Sequence, residues 1–98
     1  MNILMAGFVN GEGEIGSSSG QSFTVSHKKN SGRYVISFKK VKKIPIVVAT
    51  SAGDGGRFAA VVDAKTNRAE IALQRLEGGN NITFGDVSFF FMVIEAER

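Results

Sequence analysis

The stretch VSFFFMVI (residues 87–94) decides the fold of this chain of 98 residues. Alternate side chains of a β-strand point to opposite faces of a sheet. One face of this stretch would carry its odd-numbered residues, from Val87 to Val93, and the other its even-numbered residues, from Ser88 to Ile94. Both faces are apolar, which is the pattern of a strand that is covered on both sides.

A second copy of the chain is the predicted cover for one of these faces. Helices cover both faces of parallel sheets, but this sequence offers no clear helices for that role. The domain's own core can cover one face, and a chain this short has little left to cover the other. We therefore predict self-association through the face that carries Phe90, Met92 and Ile94.

The rest of the sequence is typical of an all-β protein. It contains eight phenylalanines, twelve glycines and one proline, with short alternating apolar runs between turns. We predict an antiparallel β-sandwich or jelly roll of about seven strands, with residues 1–98 forming a single domain. Residues 1–21 would hold a first strand, at 3–9, and a Gly/Ser-rich loop with at most a brief strand near Ile15; residues 22–98 would form the sandwich core.

Three segments within that core carry specific predictions. The segment 67–76 fits a helical stripe as well as a strand, and the turn before it favours the strand. A strand that starts at residue 82 would be interrupted before the terminal run. The turn at 29–32, between the alternating segments 23–26 and 34–38, is typical of a β-hairpin.

Composition excludes several classes of function. Cysteine is absent and His27 is the only histidine, so the sequence predicts no disulfide, no thiolate or His-rich metal site, and no cofactor. No convergent polar set suggests catalysis, and we predict that the protein is not an enzyme. The N-terminus has no basic leader, which predicts synthesis in the cytoplasm without a signal peptide. No apolar run approaches the roughly 20 residues that a membrane helix needs, so no membrane insertion is expected.

Positive charge is concentrated in one part of the chain. Between Ile15 and Gly53 there are seven basic residues and no acidic residue. Such segregation favours an anionic partner, although lysines also protect edge strands from aggregation. Nucleic acid is not predicted, because Tyr34 and Phe38 would point inward and form no stacking platform beside the lysines. The basic corner comprises Lys39, Lys40, Lys42 and Lys43.

Three other features have plain structural interpretations. The loop at 53–56 is glycine-rich, but it lacks the Lys-Ser/Thr and the helix of a phosphate-binding loop, so it is interpreted as a flexible connection. Glu12 and Glu14 are interpreted as solvated loop charges, since calcium would need more oxygen ligands. His27 is expected to be a surface residue or a contact within an oligomer.

Four motifs occur in an order that resembles the C-terminal head domains of phage tail fibres. They are GQSFTV (20–25), SGRYVISF (31–38), IPIVV (44–48) and the terminal VSFFFMVI (87–94). The stretch AGFVN (6–10) followed by GEI (13–15) resembles the first strand of that family. H-type lectins and C1q-like jelly rolls are similar in strand order. This chain has no tryptophan, so an aromatic sugar platform is not carried over.

The resemblance implies a homotrimeric binding head at a virion tail tip or an extracellular surface. Its target would be a cell-surface glycan or a bacterial envelope receptor. The alternatives are a structural trimerisation module of a virion or surface fibre, and a small H-type-like lectin. The candidate ligand contacts lie in the exposed loops and the basic corner: Asn30, Asp54, Arg57, Asn80, Lys39, Lys40, Lys42 and Lys43.

Overall fold

The described part of the chain folds into nine antiparallel β-strands. This is a computed structural model, and it describes residues 2–53 and 56–97. The strands are β1 (Ile3–Val9), β2 (Ile15–Gly20), β3 (Phe23–His27), β4 (Arg33–Phe38), β5 (Ile46–Ser51), β6 (Phe58–Ala64), β7 (Arg68–Glu77), β8 (Asn81–Phe84) and β9 (Phe89–Ile94). The all-β prediction is confirmed, and the estimate of about seven strands is too low.

The strands form two sheets. Sheet A has the order β2-β1-β9-β5, and sheet B has the order β3-β4-β7-β6, with β8 also paired to β7. The Leu73 N–H donates to the Gly32 carbonyl over 2.8 Å, and the Gly85 N–H donates to the Leu73 carbonyl over 3.3 Å. Strands β4 and β8 therefore follow one another along the same side of β7.

The core lies between the two sheets. From sheet A it receives Phe89, Phe91 and Val93, the inward face predicted for the terminal strand. From sheet B it receives the alternating β4 residues Tyr34 and Ile36, which are fully buried. The inward face of β9 is thus confirmed, and the strand starts two residues later than the apolar run does. Among the described residues, the buried cluster consists of Met5, Val9, Phe23, Tyr34, Ile36, Phe38, Ala69, Ile71, Leu73, Phe89, Phe91 and Val93.

Three segments differ from the sequence-based expectation. Ile15–Gly20 forms an edge strand where a loop was predicted; all its residues are exposed, and backbone pairing with β1 holds it. Its run of serines and glycines shows no apolar alternation, so local pattern did not indicate a full strand. Arg68–Glu77 is a ten-residue strand, and the helical alternative is wrong because its inward residues bury against the facing sheet. Asn81–Phe84 is a separate strand.

Candidate functional site

The outer face of sheet A is apolar and exposed. Phe90 is 50% exposed on the side of β9 that points away from the core. Pairing with β5 places Ile46 beside Ile94 and Val48 beside Met92. On the other side the ring of Phe8 lies 5.0 Å from that of Phe90. We call this surface the outer patch; it comprises Phe8, Ile46, Val48, Phe90, Met92 and Ile94.

Sheet A carries no charged residue. Its four strands, all within the described part of the chain, contain no Lys, Arg, Asp, Glu or His. Sheet B is different, since its outer surface holds an ion pair between Arg33 and Glu70 at 2.8 Å. Shallow depressions of about 200 Å³ and 350 Å³ flank Phe90 and Met92 on the outer patch. Side chains of another apolar surface would fit such depressions.

The basic corner is less basic than the sequence indicates. Lys40, Lys42 and Lys43 line a cavity of about 550 Å³ together with Glu95 and Glu97. The two carboxylates come from the segment that follows β9, so the separation of charges along the sequence is not preserved in space. Their presence weakens the local positive field that an anionic ligand would encounter.

Of the other predicted contacts, the described residues Asn30, Arg57 and Asn80 do not line this cavity. Asn30, with a φ of 66°, lies in the turn before β4, whereas Lys39 follows the end of β4. A strand of that length spans about 20 Å. The Arg57 guanidinium donates to the Thr83 carbonyl over 3.0 Å, so it ties the start of β6 to β8. Asn80 is exposed in the β7–β8 turn, and Asp54 lies outside the described residues.

His27 occupies a site that the sequence did not predict. Its side chain is only 5% exposed and its ring stacks on Tyr34, with 4.0 Å between ring centroids and 7° between planes. Nδ1 lies 2.8 Å from the Arg33 carbonyl, and Nε2 lies 3.1 Å from Asp86 Oδ2 without the alignment of a linear hydrogen bond. The expectation of a surface histidine is wrong, because the β8–β9 connection brings Asp86 against it.

Asp86 organises this end of the sandwich. Its Oδ2 accepts the Asn30 N–H over 2.7 Å, and its Oδ1 accepts the Gly32 N–H over 2.9 Å. Burial raises the pKa of Asp86, but these N–H groups and His27 together lower it further, so the net pKa is below the ordinary value. Burial, followed by the charge of Asp86, raises the pKa of Tyr34 to about 12.

These residues border a groove at the same end of the molecule. The groove has a volume of about 590 Å³, and we call it the loop-end groove; its lining residues are Gly11, Glu12, His27, Lys29 and Asp86. The Tyr34 hydroxyl donates to the Gly11 carbonyl over 2.7 Å, which fixes one wall. The described residues include no cluster of three or more metal-ligating side chains. The carboxylate, ammonium and imidazole groups of the lining can make hydrogen bonds to a ligand.

Sequence reasoning missed the groove because its walls come from three distant segments. The local signals are the turn at 29–32 and the turn NGEGE (10–14), in which Asn10 Oδ1 accepts the Glu12 and Glu14 N–H groups over 3.0 and 2.9 Å. No helix long and apolar enough to cross a membrane occurs in the part of the chain that the structure describes. Comparisons with protein-family models, with curated proteins and with solved structures found no match for this chain.

Proposed function

We propose that this chain is a non-enzymatic binding head that assembles as a homotrimer through the outer patch. Its target is a cell-surface glycan or envelope receptor, at a virion tail tip or an extracellular surface. The observation that carries the proposal is the outer patch on a sheet without charged residues. Exposed sheets of soluble monomers normally carry charges that oppose aggregation, and contiguous apolar patches mark interaction sites.

A trimer accounts both for the exposed outer patch and for the proposed receptor binding. Three copies with their sheets A turned towards a common axis would remove Phe90 and its neighbours from water, at roughly 25 cal/mol per Å² of apolar surface. The same arrangement would leave the loop ends free to bind. Three weak sites on one particle then act together, so a single site needs only millimolar affinity.

Binding assays against glycan arrays and bacterial envelope preparations test the proposed target. The expected result is saturable binding by the trimer at micromolar concentration. Repeating the assay over a range of ionic strength locates the contact: binding at the basic corner weakens as salt screens the lysines, whereas binding through a neutral sugar pocket does not.

A structural trimerisation module is the second candidate, and the outer patch favours it equally. It predicts the same oligomer without a ligand. Trimers that bind no glycan and no envelope fraction at micromolar concentration would replace the binding head with this assembly role.

A further inference from the structure

We propose that the loop-end groove is the ligand site and that it takes a neutral, hydroxyl-rich ligand, a sugar ring. This inference rests on the proposed glycan binding and assigns it to residues. The groove's volume of about 590 Å³ is within the range of about 300–1,000 Å³ that is usual for small-molecule sites. It lies at the opposite end of β4 from the basic corner.

The walls of the groove are held without a ligand. Asp86 accepts the N–H groups of Asn30 and Gly32 and so fixes the 28–32 turn. Asn10 caps the 10–14 turn through its side-chain oxygen, and Tyr34 anchors Gly11 by a 2.7 Å hydrogen bond. A site that is already formed loses little conformational entropy when its ligand binds.

Some polar side chains of the groove take no part in these hydrogen bonds, and they point to a ligand. Neither the Glu12 carboxylate nor the Lys29 ammonium pairs with another described residue, although both line the groove. His27 lines the groove too. Its side chain is only 5% exposed, and its Nε2 atom makes no well-aligned hydrogen bond. The groove therefore presents an unused acceptor and an unused donor beside the buried His27 ring.

The mixture of charges selects the class of ligand. The Asp86 carboxylate already accepts two backbone N–H groups, so the unpaired charges of the lining are one carboxylate, Glu12, and one ammonium, Lys29. A hydroxyl group both donates and accepts, so neighbouring hydroxyls of one sugar ring can bond to a carboxylate and an ammonium together. Hydrogen bonds to charged groups are about twice as strong as neutral ones, which suits a small uncharged ligand.

Amide chemical shifts of the ¹⁵N-labelled full chain test this assignment. The probes are methyl glycosides of glucose, galactose, mannose and N-acetylgalactosamine, each raised to about 50 mM, well above the millimolar constants of single weak sites. The expected result is a saturable shift of the Gly11, Glu12 and Lys29 amides with at least one probe. Sodium sulfate over the same range should not shift them.

Matched variants identify the side chains that contribute to sugar affinity. Glu12→Gln and Lys29→Met should each weaken sugar binding about tenfold, the loss expected for one hydrogen bond to a charged group. Lys40→Met removes the same kind of side chain at the opposite end and should change affinity less than about twofold.

Two outcomes would overturn the assignment, and they bear differently on the proposed function. Saturable sugar binding that persists in Glu12→Gln and Lys29→Met, or that shifts residues 40–43 instead, would move the ligand site and leave glycan binding standing. The absence of any saturable shift up to about 50 mM would remove the groove as a sugar site. The envelope assay, made on the trimer, then decides the function separately.

Discussion

His27 Nε2 lies 3.1 Å from Asp86 Oδ2, while Nδ1 of the same ring lies 2.8 Å from the Arg33 carbonyl. Both ring nitrogens thus lie close to an oxygen atom of another segment. The contact joins the β3–β4 hairpin to the connection that leads into β9. Asp86 is therefore a structural anchor for the end of the molecule that carries the loop-end groove.

Removing the Asp86 carboxylate should destabilise the fold. Asp86→Ala leaves the part-buried Gly32 N–H without its acceptor, and we expect the free energy of unfolding to fall by about 1–3 kcal/mol. Urea denaturation measures the change. The control is Asp63→Ala on the edge strand β6, which should change stability by less than about 0.5 kcal/mol. Equal effects of the two substitutions would contradict the anchoring role.

Acid should weaken the same anchor. The folded pKa of Asp86 is lowered, so the unfolded chain binds more protons, and stability from this group rises with pH. The contribution is complete above the unfolded pKa of about 3.9 and is lost as pH falls through the lower folded pKa. Urea unfolding is measured from neutral pH down to about pH 2. As pH falls, the free energy of unfolding should decrease less steeply for Asp86→Asn than for the natural chain. The same pH dependence in both chains would contradict a contribution of Asp86 to acid sensitivity.

Two glycines with similar backbone conformations should respond differently to alanine. Gly32 has φ +65°, and a Cβ there would lie 2.5 Å from the Gly85 nitrogen; Gly79 has φ +73° with nothing within 4 Å. Gly79→Ala should cost about 1–2 kcal/mol for the left-handed conformation alone. Gly32→Ala should cost about 1–3 kcal/mol more, because β4 and β8 must separate. Thermal or urea unfolding measures both, and similar losses would contradict the close approach of these strands.

The adjacent residues Phe90 and Phe91 of β9 should differ in how much their replacement by alanine destabilises the fold. Phe91 is 4% exposed and its ring meets that of Phe23 edge to face at 4.9 Å, whereas Phe90 is half exposed. Phe91→Ala should lower the free energy of unfolding by about 3–5 kcal/mol through the cavity it leaves. Phe90→Ala should cost clearly less when unfolding is measured in dilute solution. The reverse order would mean that the two faces of β9 are exchanged.

The sequence predicts the fold in those strands where buried and exposed side chains alternate. The alternation in β4 and β9 identifies their inward residues, because each inward side chain enters the core. It does not predict β2, whose serines and glycines are exposed and whose pairing is made by the backbone. Local pattern carries no information on such a strand.

The candidate site was harder to predict than the core. Glu95 beside the basic corner and Asp86 beside His27 are contacts between distant segments. A single sequence gives charge order along the chain, whereas the field at a site depends on which loops meet there. The turn residues around Asn10 and Asn30 were visible, but their shared groove was not.

Analytical ultracentrifugation of the natural chain and of Met92→Lys tests the central claim most directly. The natural chain should sediment as a species of three times the 10.5 kDa chain mass. Met92→Lys should sediment as a monomer with unchanged far-ultraviolet circular dichroism, because a lysine on the outer patch would bury an unpaired charge at the interface. Leu76→Lys, on strand β7 of sheet B, is the matched control and should remain trimeric. A natural chain that stays monomeric at high concentration, or a Met92→Lys variant that stays trimeric, would contradict the account.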